Sequence, residues 1–176
     1  VRAEIEALPE PAGRFAPRSG PLNLLVVGGS LGARVLNETL PQAIARIDPS
    51  RRPHVVHQTG ATNRDAVREA YASAGVHEGV DVVAFIDDMA ARYAWCDVLI
   101  ARSGAITVAE IGVAGVAAIL FPLPWFVADE QAGNARFLES RGAAMRLAQL
   151  ETTPASLASV LSGLTRERLS AMAAAA

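Results

Sequence analysis

The stretch LNLLVVGGSLGARVLNETLPQAIARI, residues 22–47, predicts how this chain folds. It begins with a mostly apolar run of strand length, continues through the glycine-rich turn 28–33, and then carries apolar residues at helical spacing from Ala33 to Ile47. This order predicts a strand, a tight turn and a helix. Small residues in such a turn let the backbone approach a ligand, and the start of the helix offers unpaired N–H groups that attract phosphate. Because any tight turn favours glycine, the turn alone does not identify a ligand.

The same alternation of strand and helix continues along the chain. Further strands are predicted at 54–57, 80–85, 98–101, 118–121 and 144–147, and helices at 63–74, 89–94, 106–114, 129–141, 154–163 and 166–173. Apolar strands separated by helices predict a doubly wound parallel sheet, a Rossmann-like α/β fold, with ligands bound at the carboxyl ends of the strands. We expect a connector with about one turn of helix at 1–20, the ligand-binding domain at 21–150 and terminal helices at 151–176.

Composition excludes several classes of function. The net charge of −2 gives no overall attraction to nucleic acid or to an anionic membrane. The single cysteine, Cys96, cannot form an internal disulfide, which is compatible with a reducing cytoplasmic setting. No run of about 18 apolar residues is present, so we expect no membrane span. The three histidines lack metal-ligand spacing, and we expect neither a metal nor another cofactor.

A second turn of the phosphate-binding type follows the strand at 98–101. It reads Arg102-Ser103-Gly104-Ala105 and opens the helix that contains Glu110. The Glu110 carboxylate lies one helical turn beyond Ile106 and could accept hydrogen bonds from two ribose hydroxyls, as acidic groups do in nucleotide sites. The alternative is a solvated helix glutamate.

Three other polar or aromatic motifs allow two interpretations each. Asp87 and Asp88 could act as paired carboxylates, but consecutive aspartates before a short helix favour an N-cap. His57, in the motif HQTG, could lie beside a ligand or be a structural residue. Trp125 and Phe126 could pack in the core or line a cleft.

Several long motifs in order resemble one family of enzymes over nearly the whole chain. They are Val1-Arg2, GGSLGARVLNETLP from Gly28, HQTG from His57, FIDDMAARYAWCDVLIARSGAITVAEI from Phe85 and QAGNA from Gln131. Together they resemble the C-terminal domain of the MurG family of peptidoglycan N-acetylglucosaminyltransferases, which transfer GlcNAc from UDP-GlcNAc to lipid I. The resemblance implies the donor-binding half of a two-domain GT-B fold and an inverting transfer that needs no metal ion.

The resemblance also implies roles for individual residues. The diphosphate would lie near Arg2, near Ser30 and its turn, and near the helix start at Ala105, Ile106 and Thr107. The nucleoside would contact the backbone of Ile86, the side chain of Met89 and the carboxylate of Glu110, and the GlcNAc hydroxyls would face Gln131 and Asn134. The two phosphate turns would comprise Gly28, Gly29, Gly32, Ser103 and Gly104. Two positions differ from the family pattern. Leu31 stands where the family usually has glutamine, and Glu130 stands where it usually has histidine or glutamine.

The family's other half would carry the remaining functions. By resemblance, an N-terminal domain absent from this chain holds the lipid I acceptor, the catalytic base and the membrane contact, at the cytoplasmic face of a bacterial plasma membrane. We therefore expect no catalytic residue in this chain and no transfer by it alone. The alternatives are another GT-B enzyme, such as a UDP-GlcNAc 2-epimerase or a natural-product glycosyltransferase, and a non-catalytic nucleotide-binding module. The turn reads G-G-S-x-G, which disfavours a dinucleotide module of the G-x-G-x-x-G type.

Overall fold

The computed structural model describes residues 1–29, 33–124, 127 and 129–176. Within these residues one sheet contains six parallel strands, and helices pack on both of its faces. The strands are β1 (Asn23–Val27), β2 (His54–Gln58), β3 (Val80–Val83), β4 (Val98–Ala101), β5 (Ala118–Leu120) and β6 (Ala144–Arg146). The helices are α1 (Ala3–Glu6), α2 (Pro11–Phe15), α3 (Arg34–Ala45), α4 (Arg64–Ser73), α5 (Met89–Trp95), α6 (Ala105–Ala114), α7 (Asp129–Ser140), α8 (Pro154–Ser162) and α9 (Arg166–Ala175).

The strand order is β3-β2-β1-β4-β5-β6, so the winding reverses between β1 and β4. These two strands pair directly, with Leu24 beside Val98 and Val27 beside Ala101. The prediction of a doubly wound parallel sheet is confirmed. Each strand and helix predicted from residue 21 onward is present, with bounds that differ by one or two residues.

Two apolar cores lie on opposite faces of the sheet because successive strand side chains point to opposite sides. Leu24 and Val26 of β1 face the first core, where α3, α4, α8 and α9 pack. Leu25 of β1 faces the second core, where α5, α6 and α7 pack. Leu24 and Leu25 are both fully buried. A strand buried on both faces does not alternate apolar and polar residues, which explains the unbroken apolar runs.

The first twenty residues hold two short helices instead of the single turn that we expected. Ile5 of α1 is buried in the second core and Phe15 of α2 in the first. Arg14 is also buried, and its guanidinium donates hydrogen bonds to the carbonyl oxygens of Ala114 and Gly115 at the end of α6. Residues 1–20 therefore pack against the sheet domain along both of its cores.

A buried ion network joins this segment to the last helix. The Asp97 carboxylate, which is fully buried, lies 2.9 Å from Nη1 of Arg18 and 3.0 Å from Nη2 of Arg166. It also accepts the N–H of Asn23 at 2.7 Å. The two arginines and the N–H group balance the cost of burying the carboxylate. None of the helices in the described part of the chain has both the length and the apolar character that crossing a bilayer requires.

Gly115 ends α6 in a left-handed conformation, with φ at +67°, and a Cβ there would lie 2.7 Å from Cγ of Pro11. We predict that Gly115→Ala lowers the free energy of unfolding by about 1–3 kcal/mol, because alanine disfavours this conformation and would displace α2. Gly112 lies in the same helix with open space around it. Its replacement by alanine is expected to raise stability by up to about 1 kcal/mol. Urea denaturation of both variants measures the difference, and equal effects would contradict the close contact at Gly115.

Candidate functional site

The two glycine-containing turns lie side by side at the point where the winding of the sheet reverses. The first turn begins at Gly28, directly after β1, and the second begins at Arg102, directly after β4. Because β1 and β4 are paired neighbours with their carboxyl ends together, Gly28 and Arg102 begin the two turns at the same edge of the sheet. In doubly wound sheets the crevice at this edge is where ligands bind. The sequence predicted the two turns, and the strand order brings them together.

The second turn is held by the first turns of α7. Ser103 is fully buried, and its hydroxyl donates to the carbonyl oxygen of Gln131 at 2.7 Å. The side-chain amide of Asn134 donates to the carbonyl oxygen of Ser103 at 3.0 Å, and Oε1 of Gln131 accepts the N–H of Leu123 at 3.0 Å. The structure therefore brings three predicted site residues, Ser103, Gln131 and Asn134, into one cluster. The Ser103 hydroxyl thus donates its proton within this cluster.

Arg102 in the same turn points away from the crevice. Its Nη1 donates to the carbonyl oxygen of Phe121 at 3.3 Å and to Oε1 of Gln149 at 2.6 Å. Burial lowers the pKa of this guanidinium from its usual value. Arg102 thus fixes the turn to β5 and to the segment after β6.

The helix that follows the second turn has an open amino end. Gly104 is its N-cap residue, in extended conformation and with no side chain to cap the helix. The N–H groups of Ala105, Ile106 and Thr107, in the first turn, have no partner within the helix, and Ile106 is 77% exposed. Among the described residues other than its chain neighbours, a Cβ on Gly104 would approach Nε2 of Gln131 alone, at 4.0 Å. The start of α6 therefore presents backbone donors and the positive end of the helix dipole to open space.

Glu110 lies on α6 with its carboxylate largely buried. The residue is 9% exposed, and Oε2 accepts a hydrogen bond from the Tyr93 hydroxyl at 2.6 Å. Burial and the Glu110 carboxylate raise the pKa of the Tyr93 hydroxyl, which therefore stays protonated as the donor. Nη2 of Arg2 lies 3.8 Å from the other oxygen, Oε1. The alternative interpretation of Glu110 as a solvated glutamate is wrong, because the residue is buried and its carboxylate is hydrogen-bonded to Tyr93 of another helix.

Arg2 and Met89 line a second part of the site beside α1 and α5. They border a small cavity of about 170 Å³ together with Asp87 and Asp88. Asp88 caps α5, since Oδ1 accepts the N–H of Ala91 at 2.9 Å, which confirms the capping interpretation. Ile86 precedes this cap and packs against the second core with Met89. Arg2 itself is half exposed, and it lies beside Glu110, the predicted ribose-binding residue.

The first turn is held by a residue whose role we did not predict. Gln58, at the end of β2, accepts the N–H of Gly29 at 3.0 Å, and its backbone oxygen accepts the N–H of Gly28 at 3.2 Å. These two N–H groups are therefore occupied within the protein. Gly29 has φ of +83°, a conformation that favours glycine. Ser30 and Gly32, predicted to face the diphosphate, lie outside the described residues with Leu31, as do Trp125 and Phe126.

His57 is a structural residue, as one of its two interpretations stated. It is fully buried, with Nε2 3.1 Å from Oδ1 of Asn37 and Nδ1 2.8 Å from the Tyr71 hydroxyl. The Asn37 oxygen can only accept, so Nε2 carries the proton and Nδ1 accepts from Tyr71. Burial lowers the pKa of His57 from 6.5 to about 4. The imidazole is therefore neutral at pH 7 and joins β2 to α3 and α4.

Comparison with known proteins identifies the family. The model of the glycosyltransferase family 28 C-terminal domain matches residues 23–176. The chain belongs to glycosyltransferase family 28. The family 28 match includes β1, both turns, Glu110 and α7, whereas Arg2 precedes it.

Two curated relatives in family 28 share the name UDP-N-acetylglucosamine–N-acetylmuramyl-(pentapeptide) pyrophosphoryl-undecaprenol N-acetylglucosamine transferase. The one from Methylibium petroleiphilum is 59% identical and the match covers 98% of this chain and 47% of the relative. The one from Aromatoleum aromaticum is 54% identical over 98% of this chain and 48% of the relative. The chain thus spans about half the length of these relatives.

A solved structure of the same family has the same fold. The crystal structure of MurG from Acinetobacter baumannii is similar to this chain with a TM-score of 0.90 and 39% identity. The match covers 97% of this chain and 49% of the MurG chain. The family that the sequence motifs indicated is therefore confirmed.

The buried, neutral His57 predicts a specific dependence of stability on pH. Unfolding returns its pKa to about 6.5, so the stability of the native state is full above pH 6.5 and falls as the pH is lowered toward 4. The loss attributable to His57 is at most about 3 kcal/mol. In His57→Gln, which can still donate to Asn37, urea denaturation should show a shallower fall over this range. His77→Gln is the matched control, because His77 is exposed. Parallel pH profiles for wild type and His57→Gln would contradict this assignment.

Proposed function

We propose that this chain is the donor-binding domain of a glycosyltransferase that transfers N-acetylglucosamine from UDP-GlcNAc to lipid I. The observation that carries the proposal is the buried Glu110 carboxylate, on a helix whose uncapped amino end opens into the crevice between β1 and β4. The names of the relatives support the choice of substrates. The domain division also belongs to this proposal, with residues 21–150 as the nucleotide-sugar domain, preceded by the segment 1–20 and followed by helices in 151–176.

In this proposal the diphosphate lies at the start of α6. The N–H groups of Ala105, Ile106 and Thr107 point out of the helix without a capping side chain, so an anion can accept them directly. Arg2 is near enough to Glu110 to contribute a positive charge to the same region. The family resemblance also assigns Ser30, which follows β1 in the chain, to the diphosphate.

The ribose lies against Glu110 and the uracil against the segment that contains Ile86 and Met89. Each carboxylate oxygen can accept two hydrogen bonds, so the bond from Tyr93 leaves capacity for both ribose hydroxyls. Tyr93 also fixes the orientation of the carboxylate before a ligand binds. Ile86 offers its backbone to the uracil edge, and Met89 lines the cavity beside it.

The GlcNAc hydroxyls lie against the amino end of α7. Oε1 of Gln131 and Nδ2 of Asn134 are used in holding the loops. The other polar atoms of the two amides, Nε2 of Gln131 and Oδ1 of Asn134, make no hydrogen bond to the described residues. Nε2 of Gln131 can therefore donate to a sugar hydroxyl, and Oδ1 of Asn134 can accept from one. The hydrogen bonds of Gln131 Oε1 and Asn134 Nδ2 fix the positions of both amides.

The proposed reaction is the attack of an acceptor hydroxyl on the anomeric carbon, with inversion and departure of UDP. Negative charge develops on the leaving diphosphate, and the helix start and Arg2 are placed to stabilise it. This part of the mechanism requires no metal ion. The acceptor site, the catalytic base and the membrane contact are assigned, by the family resemblance, to a further domain of the full-length protein. The chain's own contribution is to bind, orient and activate the donor.

Two variants, one at Glu110 and one at its partner Tyr93, test whether the Glu110 carboxylate binds the ribose. We predict that Glu110→Gln weakens UDP binding by about 10- to 100-fold, because hydrogen bonds from the ribose to a charged acceptor are lost. Tyr93→Phe removes the hydrogen bond from Tyr93 but keeps the carboxylate, so it should retain most of the affinity. Calorimetric titration with UDP and with 2′-deoxy-UDP measures both effects. If Glu110→Gln weakens the two ligands equally, Glu110 does not bind the 2′-hydroxyl.

Ligand selectivity distinguishes the proposed function from its alternatives. We expect the chain to bind UDP and UDP-GlcNAc at least tenfold more tightly than GDP or NAD in calorimetric titrations. Preferential binding of NAD would support the dinucleotide-binding module instead. In the full-length protein, transfer of GlcNAc to a lipid I analogue supports the proposal, whereas epimerisation of UDP-GlcNAc would assign the chain to a 2-epimerase.

A further inference from the structure

Gln58 uses its whole side-chain amide to join two loops. It is 5% exposed, at the carboxyl end of β2. Oε1 accepts the N–H of Gly29 at 3.0 Å, and Nε2 donates to the carbonyl oxygens of Gly29 at 2.8 Å and Ala84 at 3.0 Å. One planar group therefore bonds the turn after β1 on one side and the segment after β3 on the other.

The proposed function assigns a different part of the donor to each of these two loops. Gly29 directly precedes Ser30, which is proposed to face the diphosphate, and Ala84 lies two residues before Ile86, which is proposed to bind uracil. Backbone bonds support the same junction, from Gly28 N–H to the Gln58 oxygen at 3.2 Å and from Gly60 N–H to the Ala84 oxygen at 2.9 Å. Among the described residues, Gln58 has a side chain that is hydrogen-bonded to both loops.

We propose that Gln58 is a positioning residue that sets the separation between the diphosphate-facing turn and the uracil-facing segment. This inference rests on the proposed function. Gln58 does not contact the nucleotide; it acts through Gly29 and Ala84. Loops held in the binding geometry beforehand bind a ligand more tightly, because less conformational freedom is lost on binding.

The chemistry of the side chain explains why glutamine suits this position. The site needs one acceptor for an N–H group and two donors for carbonyl oxygens, which a primary amide supplies. An ionised glutamate would keep the acceptor but would place a second oxygen against two carbonyl oxygens. A methionine has similar length and supplies no N–H donor.

The neighbouring His57 network provides a matched control for general destabilisation. His57 points to the opposite face of the sheet, where it bonds Tyr71 of α4 and Asn37 of α3. Tyr71→Phe removes one buried hydrogen bond there and leaves all three bonds of the Gln58 amide in place. A loss of stability alone therefore affects both variants, whereas a loss of loop positioning affects only Gln58 variants.

The experiment compares Gln58→Met with Tyr71→Phe in the 176-residue chain. Calorimetry measures the Kd of UDP, which spans both loops, and of uridine, which lacks the diphosphate, and thermal unfolding measures stability. We expect Gln58→Met to weaken UDP about tenfold or more and uridine less than about threefold, while Tyr71→Phe changes neither more than about twofold. If Gln58→Met does not fold, the same comparison of UDP and uridine is made with Gln58→Glu. That variant keeps the acceptor for the Gly29 N–H group.

Three results would overturn the inference, and they are distinguishable. If wild type binds UDP and both Gln58→Met and Tyr71→Phe bind it as tightly as wild type does, Gln58 does not position the loops, and the proposed function stands. Equal weakening of UDP and uridine by Gln58→Met also excludes a role in the separation of the loops. If the folded wild-type chain does not bind UDP at all, the proposed function fails, and this inference fails with it.

Discussion

The candidate site depends on the pairing of β1 with β4. Their parallel register places Val27 beside Ala101, so the two strands end at the same height and the turns that follow begin side by side. Because the winding reverses here, the following helices α3 and α6 pack on opposite faces of the sheet, and in such sheets the crevice between the two amino ends is where ligands bind. A slip of one residue in this register would move one turn away from the other and expose the strand side chains that now form the two cores.

Partly buried hydrogen bonds between uncharged groups hold the loops around this crevice. Ser103, Gln131 and Asn134 join the second turn to α7, while Gln58 joins the first turn to the end of β3. Such bonds are stronger in a poorly solvated interior than on the surface. Those of Gln131 and Asn134 use one atom of each amide, Oε1 and Nδ2, and leave the other without a hydrogen bond to the described residues. The same polar side chains can therefore shape a loop with one atom and offer another to a ligand.

The sequence predicted the order of elements well because the strands are apolar on both faces and the turns between them contain glycine or aspartate. It predicted Asp88 as a cap, since that interaction involves residues close in sequence. It did not predict the burial of Glu110, whose partner Tyr93 lies on another helix, nor the role of Gln58, whose partners Gly29 and Ala84 meet only when three strands are assembled. It also described residues 1–20 too simply, because the burial of Ile5 and Phe15 depends on the two cores that they join.

Arg14 has an electrostatic consequence at the far end of α6. An α-helix carries about half a positive charge at its amino end and half a negative charge at its carboxyl end. The Arg14 guanidinium covers the negative end through the carbonyl oxygens of Ala114 and Gly115, while nothing among the described residues caps the positive end. An anion that enters the crevice therefore meets the attractive pole of a helix whose repulsive pole has already been neutralised.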